Sequence, residues 1–233
     1  MTRSLRFVLM AFALLAAVAL RSEAVAQMRF SGGTFGVLGG GMGALYIGLL
    51  NSPTVQKELN LSDDQKAKIS EAVNKLRARM GQMPPGMGDL SEEERQAELK
   101  KMRSKTQAQA EETKKTIEGI LQPKQLERLR EIALQVVGVR AVIDKEVQKS
   151  LKLSDDQVAK IKTIIDDSRK EIEESRSDGS FNGDKFKEMN EECEKQLGDV
   201  LTADQKAALE KMKGEKLDIP ADELRGPGHR GGG

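Results

Sequence analysis

The chain of 233 residues has no tryptophan, one tyrosine (Tyr46), one cysteine (Cys193) and one histidine (His229). Each scarcity narrows the field. A lone cysteine cannot close an internal disulfide. Cys193 stands in helical register with Phe186, Met189 and Leu197, where a thiol packs as a small apolar group. A lone histidine in a Gly-rich tail leaves no Cys–His pair and no Ser–His–Asp set, and it makes a zinc site improbable. The carboxylates fall on solvent faces such as Glu171–Glu174, so neither an enzyme nor a cofactor is expected. A chain that is 3% aromatic and 32% charged can bury narrow helical stripes more readily than fill a thick core. No segment alternates apolar and polar residues for long enough to make a strand. The expected class is therefore all-α.

Excess charge is also missing. Without residues 1–26 the net charge is −1, with both signs interspersed. That gives no electrostatic reason to expect nucleic acid, and no polybasic patch for anionic lipid. Residues 1–26 read as a secretory signal peptide. Arg3 and Arg6 precede the apolar run Phe7–Leu20, and Ala24-Val25-Ala26 supplies a small-x-small cleavage pattern between Ala26 and Gln27. The run is short for a membrane span. The expected location is the periplasm or another exported compartment, with no integral span after cleavage.

Residues 27–44 are Gly-rich, and no charge occurs between Arg29 and Lys57. GGGMGA has neither a preceding strand nor a βαβ context, so a phosphate loop is disfavoured. Many glycines weaken a spanning helix. The segment is expected to be a flexible leader that becomes ordered near Ala44–Leu50.

Beyond it, helices alternate with clear breaks. Two units are expected, 45–137 and 138–217, each with a short lead helix and three longer ones. The tail 218–233 carries too many breakers to fold alone and is expected to be disordered. The units share a repeat: VQKELNLSDDQKAKI (Val55–Ile69) and VQKSLKLSDDQVAKI (Val147–Ile161) agree at 12 of 15 positions. Leu and Gln recur four residues apart at Leu61/Gln65, Leu121/Gln125, Leu153/Gln157 and Leu201/Gln205. Ser62, Ser154 and Thr202 follow the leucine in three of them and form the capping box S/T-x-x-Q. Acidic residues then occupy the first turn, where the helix dipole favours them. Gln122 is a poor cap, and Pro123 preorganises that start instead. Leu and Gln persist even there, so the pair is expected to pack against something as well, with the adjoining joint as the candidate.

These joints, on an exported, charged, all-helical chain, resemble the LTxxQ-motif proteins of the bacterial periplasm, the Spy/CpxP-like group. VQKELxLSxxQ after a Gly-rich leader, and Lys213-Gly214 after the last joint, are similar to versions from planctomycete-type bacteria. The resemblance covers roughly residues 45–217. It implies long antiparallel helical hairpins in tandem, and pairing into a cradle-shaped homodimer or its equivalent within one chain. It also implies ATP-independent, chaperone-like or envelope-stress binding of unfolded or partner proteins on an apolar helical face. Met80, Met83, Met87 and Met102 would supply adaptable contacts there. One alternative is copper binding or sensing through Met80, Met83 and Met87, whose thioethers suit Cu(I); the competing reading is a plain Met/Pro/Gly loop. Another is a purely structural envelope protein with one fixed partner.

Overall fold

A computed structural model describes residues 33–80 and 90–224. Among these every regular element is a helix, with no strand. The expected signal cleavage site Ala26/Gln27, loop residues Met83 and Met87, and His229 lie outside the described residues. In chain order the helices are α1 (Gly33–Leu50), α2 (Pro53–Glu58), α3 (Asp63–Met80), α4 (Glu92–Ile120) and α5 (Pro123–Val137). A 3-10 segment, Gly138–Ile143, follows, and then α6 (Lys145–Ser150), α7 (Asp155–Ser177), α8 (Gly183–Val200), α9 (Ala203–Met212) and α10 (Ala221–Leu224).

The starts follow local chemistry. The Ser91 and Ser154 hydroxyls accept from the backbone N–H of Glu94 and Gln157, and those side chains reach back to the cap N–H. Thr202 and Gln205 do the same at α9. Ser62 and Gln65 form the corresponding pair of bonds at α3. Caps of this type contribute about 1 kcal/mol each, enough to set where a helix begins.

Helix α3 packs on α4, and α7 packs on α8. Gln65 near the start of α3 bonds Ile120 at the end of α4, so the first pair runs antiparallel. Gln157 near the start of α7 bonds Val200 at the end of α8, so the second does too. Ile69, Val73 and Leu76 of α3, with Ile161 and Ile165 of α7, are all buried inside the chain. They are not the exposed apolar face that client binding would need. The 3-10 segment packs on α5, α6, α7 and α8. Arg140 within it is fully buried, and it donates to the Asn190 backbone and side-chain oxygens at 3.0 and 2.6 Å and to Glu194 at 3.3 Å.

Two expectations about the chain ends need correction. The Gly-rich stretch is helical from Gly33, well before Ala44, and α1 lies against α4 and α5. Met42, Leu45, Tyr46, Ile47, Leu49 and Leu50 are buried in the core. A helix apolar on all sides is stabilised by being surrounded, and tertiary burial outweighs the low helix propensity of glycine. Gly43 also has a packing role. A Cβ there would lie 2.8 Å from the Ala110 carbonyl carbon and closer still to its oxygen, so α4 approaches α1 only because that Cβ is missing. No helix among the described residues is long and apolar enough to cross a membrane.

The described part of the tail, through Leu224, is docked on the core. Ile219 is buried, and Leu217 and Leu224 pack against the core. Gly214, at φ +59°, turns the chain out of α9, where any Cβ would collide with the Glu131 carboxylate. The breakers in 218–224 stop that segment folding alone, but they leave it free to dock on a surface made by other residues.

Candidate functional site: the paired glutamine joints

The four joints meet in two pairs. The Gln65 and Gln125 side-chain amides, 60 residues apart, bond each other reciprocally. Gln65 Nε2 donates to Gln125 Oε1 at 2.7 Å, and Gln125 Nε2 donates to Gln65 Oε1 at 3.2 Å. Gln157 and Gln205 repeat this at 2.7 and 3.1 Å. Each Nε2 spends its second hydrogen on the carbonyl at a helix end: Gln65 on Ile120, Gln125 on Leu59, Gln157 on Val200 and Gln205 on Leu151. Each Oε1 also accepts from the N–H at its own helix start, on Ser62, Gln122, Ser154 and Thr202.

Both donors and both acceptor positions of every amide are therefore used. Glutamate would bring no donor and a charge. A shorter amide would not span both its own helix start and its partner. One side chain thus caps the start of its own helix and the end of another, satisfying orphan groups at both termini. This accounts for Gln125 at a joint whose cap, Gln122, makes no side-chain bond to the helix. The leucines seat the joints: Leu61, Leu121 and Leu201 are buried and Leu153 is half-buried.

The chain enters each pair by the same route. Asn60 and Lys152 both adopt left-handed backbone, at φ 49° and 50°. Leu61 N–H then bonds Gln56 O, and Leu153 N–H bonds Gln148 O. Asparagine tolerates that conformation better than lysine does.

A charged cluster lies where α1, α4, α5 and α6 converge. Lys114, nearly buried, is 3.7 Å from Glu146 and 4.0 Å from Glu118. Arg130 is 3.4 Å from Glu118 and 3.7 Å from Glu146. Tyr46, 2% exposed, has its phenol pushed far above the usual range by burial, with Arg130 opposing. The charges balance, so the cluster ties helices together and leaves no net charge for a ligand. Burial likewise pushes the Cys193 thiol up, which disfavours the reactive thiolate.

The described residues contain no group of three or more His, Cys, Asp or Glu suited to a metal. An open recess of about 520 Å³ lies beside α8 and α9. Lysines 195, 206 and 213 there mix with Glu191, Glu194, Asp199 and Glu210, so it favours no single ligand charge. At the far end of the α7/α8 hairpin, Phe181 and Phe186 are half-buried, with ring centroids 5.7 Å apart, and the Arg176 guanidinium lies 4.8 Å over Phe181. Helical periodicity places Phe186 on the apolar side of α8 and does not show its pairing with Phe181; an aromatic in the turn DGSFNGD (Asp178–Asp184) is the sequence signal for it.

Residues 51–129 match the model of a domain of unknown function, DUF4890. The match includes both joints of the first pair and ends within α5. Comparison with curated proteins and with solved structures found no match.

Proposed function

We propose that the protein is an exported, non-catalytic helical binding protein that holds unfolded or partner polypeptides in a chaperone-like or envelope-stress role, through the tips of its hairpins. The observation that carries this reading is the contrast between the two ends of the α7/α8 hairpin. At the joint, every glutamine hydrogen-bonding position is satisfied within the chain, which leaves nothing for a ligand. At the α7/α8 tip a half-exposed aromatic pair with a stacked guanidinium offers the amphipathic contact that polypeptide partners use. By chain position, the α3/α4 connection is its counterpart, because Met80, Met83 and Met87 fall at or beside it. The segment Arg3–Ala26 supports export.

The test is light scattering of a chemically denatured reference protein diluted into an equimolar amount of this one. Slowed aggregation, lost in Phe181→Ser/Phe186→Ser with helicity retained, supports the proposal. Wild-type protein that leaves the aggregation curve unchanged defeats it.

A further inference from the structure

The two lead helices, α2 and α6, occupy equivalent places in the repeat, 92 residues apart, yet their starts are satisfied differently. At α6 one carboxylate suffices. Asp144 Oδ1 accepts from Glu146 N–H at 2.8 Å and Val147 N–H at 3.2 Å. At α2 the equivalent residue is Ser52, which has no charge. Its hydroxyl accepts from Val55 N–H at 3.1 Å, which matches Val147. The Thr54 N–H, which matches Glu146, is taken by a carboxylate from 169 residues away: Glu223 accepts it at 3.0 Å. Glu223 also accepts from the hydroxyls of Thr54, at 3.0 Å, and Ser52. Ser52 and Glu223 together do what Asp144 does alone.

Glu223 arrives on a segment held at several points. Gln135 Nε2 donates to Lys213 O and Glu215 O, both at 2.6 Å, and Gln135 Oε1 accepts from Leu217 N–H at 2.9 Å. Arg128 donates to Glu215 O at 2.8 Å. Ile219 is buried, and α10 packs on α1.

We propose that residues 213–224 form a strap that completes the cap of α2 from 169 residues away, so that loss of the Glu223 contact both loosens the strap and uncaps α2. Ser52 is fully buried beneath the strap, and its hydroxyl needs an acceptor there. Glu223 is the acceptor provided. Burial raises its carboxyl, but the bonds from Ser52 and Thr54 outweigh this and hold it below the usual glutamate range. The ionised form is therefore the bound form. The first unit thus depends on a distant segment for a contact that the second makes within two residues.

Hydrogen–deuterium exchange on the purified protein separates the parts. In Glu223→Ala, exchange rises about tenfold or more both in the strap and at Thr54–Gln56. Ser52→Asp supplies the missing carboxylate in cis and repels Glu223. There the strap loosens to a similar extent while Thr54–Gln56 keep their protection. Ser52→Asp/Glu223→Gln removes the like-charge contact and restores strap protection, and tryptic cleavage after Lys216 follows the same order. A strap as protected in Ser52→Asp as in wild type overturns the proposal. So does an equal loss of protection in α7 and α8 in both single variants, which would mark general unfolding.

Discussion

The two glutamine joints are built to one plan from unequal parts. In the second, both helices have hydroxyl caps, Ser154 and Thr202, and each shares its helix start with the glutamine. In the first, α3 has Ser62, but α5 has only Pro123 and the back-bond from Gln125. The Gln–Gln geometry is the same in both, within about 0.1 Å in the two reciprocal distances. A cap can therefore be exchanged for proline, but the amide cannot be exchanged. Caps satisfy one helix, and several chemistries serve. The amide satisfies two helices and its partner at once, which only a neutral donor–acceptor of that length can do.

The largest effect is expected from converting one amide of a pair to a carboxylate. Gln125→Glu faces Leu59 O and Gln65 Oε1 with no donor and leaves three partly buried acceptors in mutual contact. The expected loss is about 2–4 kcal/mol by urea denaturation. Gln205→Glu is expected to cost less, since Thr202 still caps α9. If the two cost the same, the helix cap does not add to the joint. A Gln65→Ala/Gln125→Ala cycle is expected to show coupling of about 0.5–3 kcal/mol, whereas Gln65→Ala with Gln205→Ala is expected to be additive.

A middle-sized effect tests the other asymmetry, that the first unit has α1 as an extra layer. Gly43→Ala forces a methyl against the Ala110 carbonyl, which is backbone and cannot rotate aside. The expected cost is about 1–3 kcal/mol, with a lower thermal midpoint. Gly48→Ala, one and a half turns on, meets nothing and gains helix propensity, so it is expected to be neutral or slightly stabilising.

The smallest effect concerns the left-handed residue before each joint. Lys152→Asn places in the second unit what Asn60 provides in the first, and it is expected to stabilise by a few tenths of a kcal/mol. Asn60→Lys should lose a similar amount. A change of opposite sign would mean that the side chain at that position, and not its backbone, decides the site.

Most of the helical framework was legible in the chain, and the reason is range. Ser62, Ser91, Ser154 and Thr202 each act on a residue three positions ahead, so the four letters from cap to partner contain the whole interaction. The retention of Gln125 beside a failed cap was also legible as a sign that glutamine had a second task. Its partner was not, because nothing local to residue 125 distinguishes Gln65 from any other amide.

The all-α class, the capped helix starts and the repeat of the joints are written in the chain itself. These rest on contacts within a turn of helix and on periodicities of three and four. Tertiary structure alone decided that Gln65 meets Gln125 and Gln157 meets Gln205, that Gly33–Leu50 is a helix, and that Glu223 caps α2. A Gly-rich apolar segment has no helical preference of its own and takes one only when α4 and α5 surround it. A carboxylate beyond a proline-broken tail becomes a cap only when the remaining chain brings Ser52 and Thr54 to it.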